Sequence, residues 1–196
     1  MRSRLLTNLR VAAFAAGLLL ALNGDIAAAG EEAPFETAPV RWVLTAGNAQ
    51  KVAVYGIGAS WEPSWDVDAL ARRGFKPGLG VDLMRWEGSE RDAASRLLWD
   101  ASITPRLRWR PAEGPWHRLF MDIGVGIHLL SSRTINVSRN FSTTFQFGER
   151  LAVGSNFGPR NRYEVAVFAQ HVSNGGIKEP NDGLTYYGTT IGISFD

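Results

Sequence analysis

The sequence predicts an all-β fold, an eight-stranded antiparallel transmembrane β-barrel with a filled polar interior. Three observations predict it. The chain opens with an export signal, it contains no cysteine, and from Lys51 onward it alternates apolar and polar residues in unusually long runs. Strands of soluble proteins average about five or six residues. Crossing a bilayer at a tilt takes about 9–11 residues. Two of the runs, 97–110 and 117–130, exceed both, which favours a barrel over a soluble sandwich.

Taken in order, Arg2, Arg4 and Arg10 precede an apolar core from Val11 to Leu22 and the small residues Ala27-Ala28-Ala29. This is the pattern of a cleaved signal peptide over residues 1–29, and its apolar core is too short for a membrane-spanning helix. Removing it takes three arginines and one aspartate, so the formal charge of +2 falls to zero. No basic excess remains to attract nucleic acid. Residues 30–49 show no clear period and read as an N-terminal extension, leaving 50–196 for the barrel. Strands are expected near 51–61, 65–72, 79–87, 97–110, 117–130, 144–157, 162–174 and 184–195.

In the fourth run Leu97, Trp99, Ala101, Ile103, Pro105, Leu107 and Trp109 share one phase, opposite Asp100, Arg106 and Arg108. Alternate residues of a strand face opposite sides. In the fifth, Leu119, Met121, Ile123, Val125, Ile127 and Leu129 oppose Asp122 and His128. Pro105 inside a strand suggests a bulge. Trp61, Trp65, Trp99, Trp109 and Trp116 lie near strand ends, where interfacial girdles are found. Eight strands enclose a space that side chains fill. The inward phase would hold Asp66, Asp68, Asp82, Asp100, Asp122, Glu164, Arg106, Arg108 and Arg150, mixed signs that can pair as a structural network. His128 would pack among them and His117 would sit at an interface. Links near 88–96, 131–143 and 175–183 are long and fit the cell exterior; 73–78, 111–116 and 158–161 fit the periplasm, and 62–64 would be a short outer link.

The chemistry concentrates near the C-terminus. In the seventh run His171 and Ser173 continue the apolar phase of Tyr163, Val165, Val167 and Ala169. A base and an alcohol thus share an outward face, about 6.5 Å apart along the strand, at the outer end of the barrel. There is no Gly-x-Ser-x-Gly elbow, phosphate-binding glycine loop or His-x-x-x-His pair, and the chemistry needs no metal or cofactor.

The segment His171-Val-Ser-Asn-Gly-Gly-Ile-Lys-Glu-Pro-Asn-Asp-Gly183 resembles the signature of the PagL-type lipid A 3-O-deacylases. Weaker echoes occur at Arg85-Trp-Glu-Gly88, Gly124-Val-Gly-Ile127 and Phe147-Gly-Glu-Arg150. The resemblance implies an outer-membrane carboxylic ester hydrolase that removes the ester-linked acyl chain at position 3 of lipid A in the outer leaflet. It implies Ser173 as nucleophile, His171 as general base and Asn174 as oxyanion donor. The family's acid, a glutamate twelve residues after the serine, falls here on Thr185, beside His171 across the hairpin. Glu179 and Asp182 are candidate substitutes, although Pro180-Asn181-Asp182-Gly183 is also a strong turn sequence. Lys178, Arg133 and Arg139 could steer the phosphates of lipopolysaccharide. Two other functions are compatible with the sequence: a structural or adhesive barrel that has lost its acid, and a phospholipase of the same membrane. A homodimer is compatible too, and nothing in the residues requires it.

Overall fold

The computed structural model describes residues 40–63, 67–111, 114 and 116–195. The expected signal peptide, the first half of the expected extension, and Trp65 and Asp66 lie outside the described residues. Eight long strands close into one antiparallel barrel: β1 (Arg41–Ala49), β2 (Val52–Trp61), β3 (Phe75–Gly88), β4 (Leu97–Trp109), β5 (Leu119–Leu130), β8 (Phe145–Phe157), β9 (Tyr163–Ser173) and β10 (Leu184–Ser194). Each pairs with its neighbours in sequence, and β1 closes the ring against β10 with Arg41 opposite Ser194. A small hairpin of β6 (Thr134–Ile135) and β7 (Arg139–Asn140) stands in the link between β5 and β8.

Two expectations for the first third are corrected. The segment read as an N-terminal extension without a clear period contains β1, so the barrel begins at Arg41 rather than near residue 50. The expected strand at 65–72 is instead part of a link, with a four-residue helix α1 (Asp68–Ala71) on which Asp68 is exposed. One strand is gained and one lost, so the count stays at eight. The first link at the end that carries 89–96, 131–144 and 174–183 is the tight turn at 50–51, with Lys51 in the left-handed region at φ 61°. β2 consequently runs opposite to the expected direction, whereas β3 onward run as expected. The 62–74 link, at the end shared with both termini, is long, against the short-turn rule applied to the sequence.

Pro105 causes no bulge. β4 and β5 keep one register on both sides of it, from Ile103 opposite Ile127 to Arg106 opposite Gly124. The missing proline N–H simply interrupts the ladder at Thr104 and Pro105. Gly126 lets the strands approach there: a Cβ at that position would lie 2.5 Å from the Ile103 carbonyl oxygen.

The exterior is apolar, with Leu44, Ile57, Ile103, Leu151, Val167 and Ile191 all exposed. Exposed Trp42, Trp109, Phe157 and Tyr163 lie toward the end near the termini, and Tyr55, Trp99, Phe145 and Tyr187 toward the other. This is the two-girdle pattern of membrane barrels. The interior is filled and layered. Toward the termini Arg108, fully buried, holds Asp122 through two 2.6 Å hydrogen bonds and meets Glu164 at 2.6 Å and Glu62 at 2.9 Å. Arg41 joins Glu164 at 2.9 Å and Arg110 joins Glu62 at 3.0 Å. Burial alone would raise the Glu62 carboxyl, but Arg108, Arg110 and Arg106 pull it down to about 2. Toward the other end the interior is aromatic: Trp86 packs edge-on against Tyr186 at 5.6 Å and Phe141 at 6.0 Å. His128 is buried between them, its Nδ1 2.9 Å from Asp100 and its Nε2 3.0 Å from the Gln170 amide nitrogen. It is structural packing.

Candidate active site

β9 alternates buried and accessible residues along its whole length, and His171 and Ser173 fall on the accessible, exterior phase with Val165 and Val167. The strand therefore brings the two together on one face near its end. His171 is flanked on both sides. On β10 it lies opposite Thr185, and its Nδ1 shares a 2.8 Å hydrogen bond with the Thr185 hydroxyl. On β8 it lies opposite Glu149, and Ser173 lies opposite Phe147. The Ser173 hydroxyl has no hydrogen-bond partner among the described residues, so it is left to the exterior.

Gly183 is shaped by the imidazole. Its φ is +56°, and a Cβ there would lie 3.0 Å from His171 Cε1 and 3.4 Å from Nε2. Gly175, with φ +66°, sits over the Phe147 ring, where a Cβ would lie 3.1 Å from a ring carbon. Both positions combine a backbone conformation that L residues rarely adopt with a neighbour already in place.

Asn174 does not join the pair. It follows Ser173 on the opposite phase, is fully buried, and donates both amide hydrogens inward, to the Phe141 carbonyl at 2.9 Å and the Lys178 carbonyl at 2.7 Å. Its Oδ1 accepts the Gly176 N–H at 2.9 Å. The side chain expected to hold an oxyanion instead shapes the 174–183 link. Glu179 and Asp182 make no hydrogen bond or ion pair with His171 among the described residues. Glu179 accepts the Asn181 N–H at 3.1 Å, and Asp182 accepts the Asn140 N–H at 2.6 Å. These are turn and loop-clamping bonds. Arg139 donates to the Gly183 and Asp182 carbonyls, and Ser142 donates to the Pro180 carbonyl at 2.6 Å. The 131–144 link thereby holds the 174–183 link over the end of β9. Arg133 and Lys178 remain exposed.

Glu149, Phe147, Gly183 and Gly175 fall in segments that the sequence reading matched to the family, but that reading gave them no role. The first two became neighbours of the pair only through the register of β8 on β9.

The family model described as "Lipid A 3-O-deacylase (PagL)" matches residues 53–194. The chain belongs to this family. A lipid A deacylase PagL of Bordetella bronchiseptica is 32% identical over 124 residues, 63% of this chain and 64% of that protein. One of Pseudomonas aeruginosa is 29% identical over 132 residues, 67% of this chain and 71% of that protein. The chain thus spans just under two thirds of the first relative's length. The crystal structure of the outer membrane enzyme PagL superposes with a TM-score of 0.62 at 22% identity, covering 81% of this chain and all of that one. With this family's fold and an apolar, aromatic-banded exterior, the chain is a transmembrane barrel of the outer membrane.

Proposed function

We propose that this barrel is a lipid A 3-O-deacylase acting through Ser173 and His171 on its lipid-facing wall. The observation that carries the reading is the exterior placement of an anchored imidazole and a free hydroxyl on one face of β9. A serine hydroxyl becomes an effective nucleophile when a neighbouring base removes its proton. With the Nδ1–H donated to Thr185, the Nε2 lone pair is the base, on the edge of the ring near Gly183. Ser173 Oγ attacks the ester carbonyl carbon as Nε2 takes its proton. Collapse of the tetrahedral intermediate breaks the bond to the sugar oxygen at position 3, which receives that proton. A water then adds to the acyl-serine, giving one proton to Nε2, and the fatty acid leaves as the proton returns to Ser173.

The negative charge on the carbonyl oxygen needs a donor, worth about 2.7–4 kcal/mol in a serine hydrolase. The Asn174 amide is committed elsewhere. The role falls to backbone N–H groups beyond Ser173, and that of Gly175 has no acceptor among the described residues. Asn174 contributes by fixing the turn that presents it. Lys178 and Arg133, exposed in the links above the site, are suited to the phosphates of lipid A. Arg139 is engaged with the Gly183 and Asp182 carbonyls and serves the loops.

Purified protein in detergent should release a 3-hydroxy fatty acid from lipopolysaccharide, and Ser173→Ala should abolish the release. Equal activity in that variant would sink the mechanism. Thr185 at the acid position is the observation behind a second reading, an inactive structural barrel. That reading gains if lipid A masses are unchanged by the expressed protein. Lysophospholipid as the product would point instead to a phospholipase.

A further inference from the structure

We propose that Glu149 supplies the negative charge that position 185 lacks, stabilising the His171 imidazolium from β8 while Thr185 orients the ring from β10. The inference rests on the deacylase reading above and divides the work of a single acid between two strands.

Geometry comes first. Glu149 is directly opposite His171 in the β8–β9 ladder, on the same exterior face. Side chains so placed have Cβ atoms about 4.5–5.5 Å apart, within the reach of a glutamate. The imidazole therefore stands between a hydroxyl on one neighbouring strand and a carboxylate on the other.

The charge census of the wall comes second. The exterior phases of the eight long strands carry three fully charged side chains: Arg85, Glu87 and Glu149. Arg85 and Glu87 neutralise each other at 2.6 Å. Glu149 has no hydrogen bond or ion pair among the described residues, and its neighbours along the stripe are Phe147 and Leu151. A lone carboxylate against lipid is unfavourable and marks a functional site by default. A positive charge appearing on His171 during turnover is the partner this one lacks at rest.

The chemistry is third. As Nε2 accepts the Ser173 proton, the ring becomes cationic. The attraction of Glu149 is then stronger in the transition state than in the resting enzyme, so it lowers the barrier to the chemical step without tightening substrate binding. No proton passes to Glu149. It is a positioning residue that acts through His171.

The test is steady-state hydrolysis of purified lipopolysaccharide by the full-length barrel in detergent. Glu149→Gln should lower kcat about 10- to 100-fold with KM within about twofold, less than the loss of a whole triad acid because Thr185 still holds the ring. Glu149→Asp should retain part of the rate, and Glu149→Gln combined with Thr185→Glu should recover it. Glu87→Gln, which removes the other exterior carboxylate, should leave the rate unchanged. The urea midpoint of Glu149→Gln should be no lower than that of the parent, since the variant removes an unpaired charge from the wall. A structural role predicts the reverse. Near-parental kcat in Glu149→Gln, alongside an inactive Ser173→Ala, would overturn this proposal and leave the deacylase reading standing. Absence of fatty-acid release by the parent would overturn both.

Discussion

The ionic layer inside the barrel and the polar patch outside it use the same residue types to opposite ends. Inside, Arg108 touches three carboxylates and lies over the Phe120 ring at 3.7 Å, so that its charge and its apolar surface are both satisfied. Outside, His171 has one hydrogen bond, Ser173 has none from its side chain, and Glu149 has neither a hydrogen bond nor an ion pair among the described residues. A buried charge survives in a fold only when it is paired. The layer around Arg108 obeys that rule and is scaffold. The exterior departs from it at one spot, where strands β8, β9 and β10 meet, and unsatisfied groups held in place are what chemistry requires.

The comparison breaks most visibly at Arg108. Replacing it with leucine leaves Asp122, Glu164 and Glu62 facing one another without their shared cation. Removing one partner of a buried ion pair costs about 3–5 kcal/mol. Urea unfolding in lipid vesicles should show a loss of that size, while any folded fraction should retain hydrolytic activity, since the exterior site is untouched. Loss of activity per folded molecule would mean the two regions are coupled.

The same layer predicts an acid-sensitive component of stability. Glu62 is held at about 2 in the folded barrel against an ordinary 4.5. A depressed carboxylate contributes stability that is fully present above the unfolded value and is lost as pH falls through the folded one. The window therefore runs from about 4.5 down to about 2, with a total of about 3 kcal/mol. In Glu62→Gln the unfolding midpoint should fall less steeply across that window than in the parent.

The two regions differed as much in legibility as in function. β4 and β5 were readable because apolar and charged residues alternate across them with little interruption. β1 was not, because both of its phases are small or neutral: Trp42, Leu44 and Ala46 face out, while Val43, Thr45 and Gly47 face in. The interior network was legible as a set of inward charges of mixed sign, although Arg41 and Glu62, which complete it, sit at a hidden strand and in a link. In the site, alternation alone placed His171 with Ser173, and it equally places Asn174 on the other face, against an oxyanion role for its amide. Glu149 lay in the Phe147–Arg150 echo, but its pairing with His171 was out of reach because no single strand's pattern reports what lies opposite it. That depends on the 158–162 turn, which sets Phe157 against Tyr163 and hence Glu149 against His171.

Gly183→Ala sharpens the exterior side. The residue lies at φ +56° and its new methyl would press on the imidazole. The backbone cost should be about 1 kcal/mol or more, small beside the Arg108 variant. Turnover should nevertheless fall about tenfold, because displacing the ring weakens both the Thr185 hydrogen bond and the approach to Ser173. Unchanged turnover in a folded variant would show that the ring has room to move.

The smallest effect expected is from Thr185→Glu in the otherwise unaltered protein, and its smallness is informative. The substitution restores a carboxylate at the position where His171 Nδ1 already bonds. If the site lacked any counter-charge, kcat should climb by orders of magnitude, as the loss in triads that forfeit their acid implies. With Glu149 already opposite the ring, a second carboxylate adds little attraction for the imidazolium, and the two acids repel each other in an apolar setting. The gain in kcat should stay below about tenfold. A gain above a hundredfold would mean that the exterior patch holds no working acid, and that its contrast with the paired layer around Arg108 reflects decay rather than function.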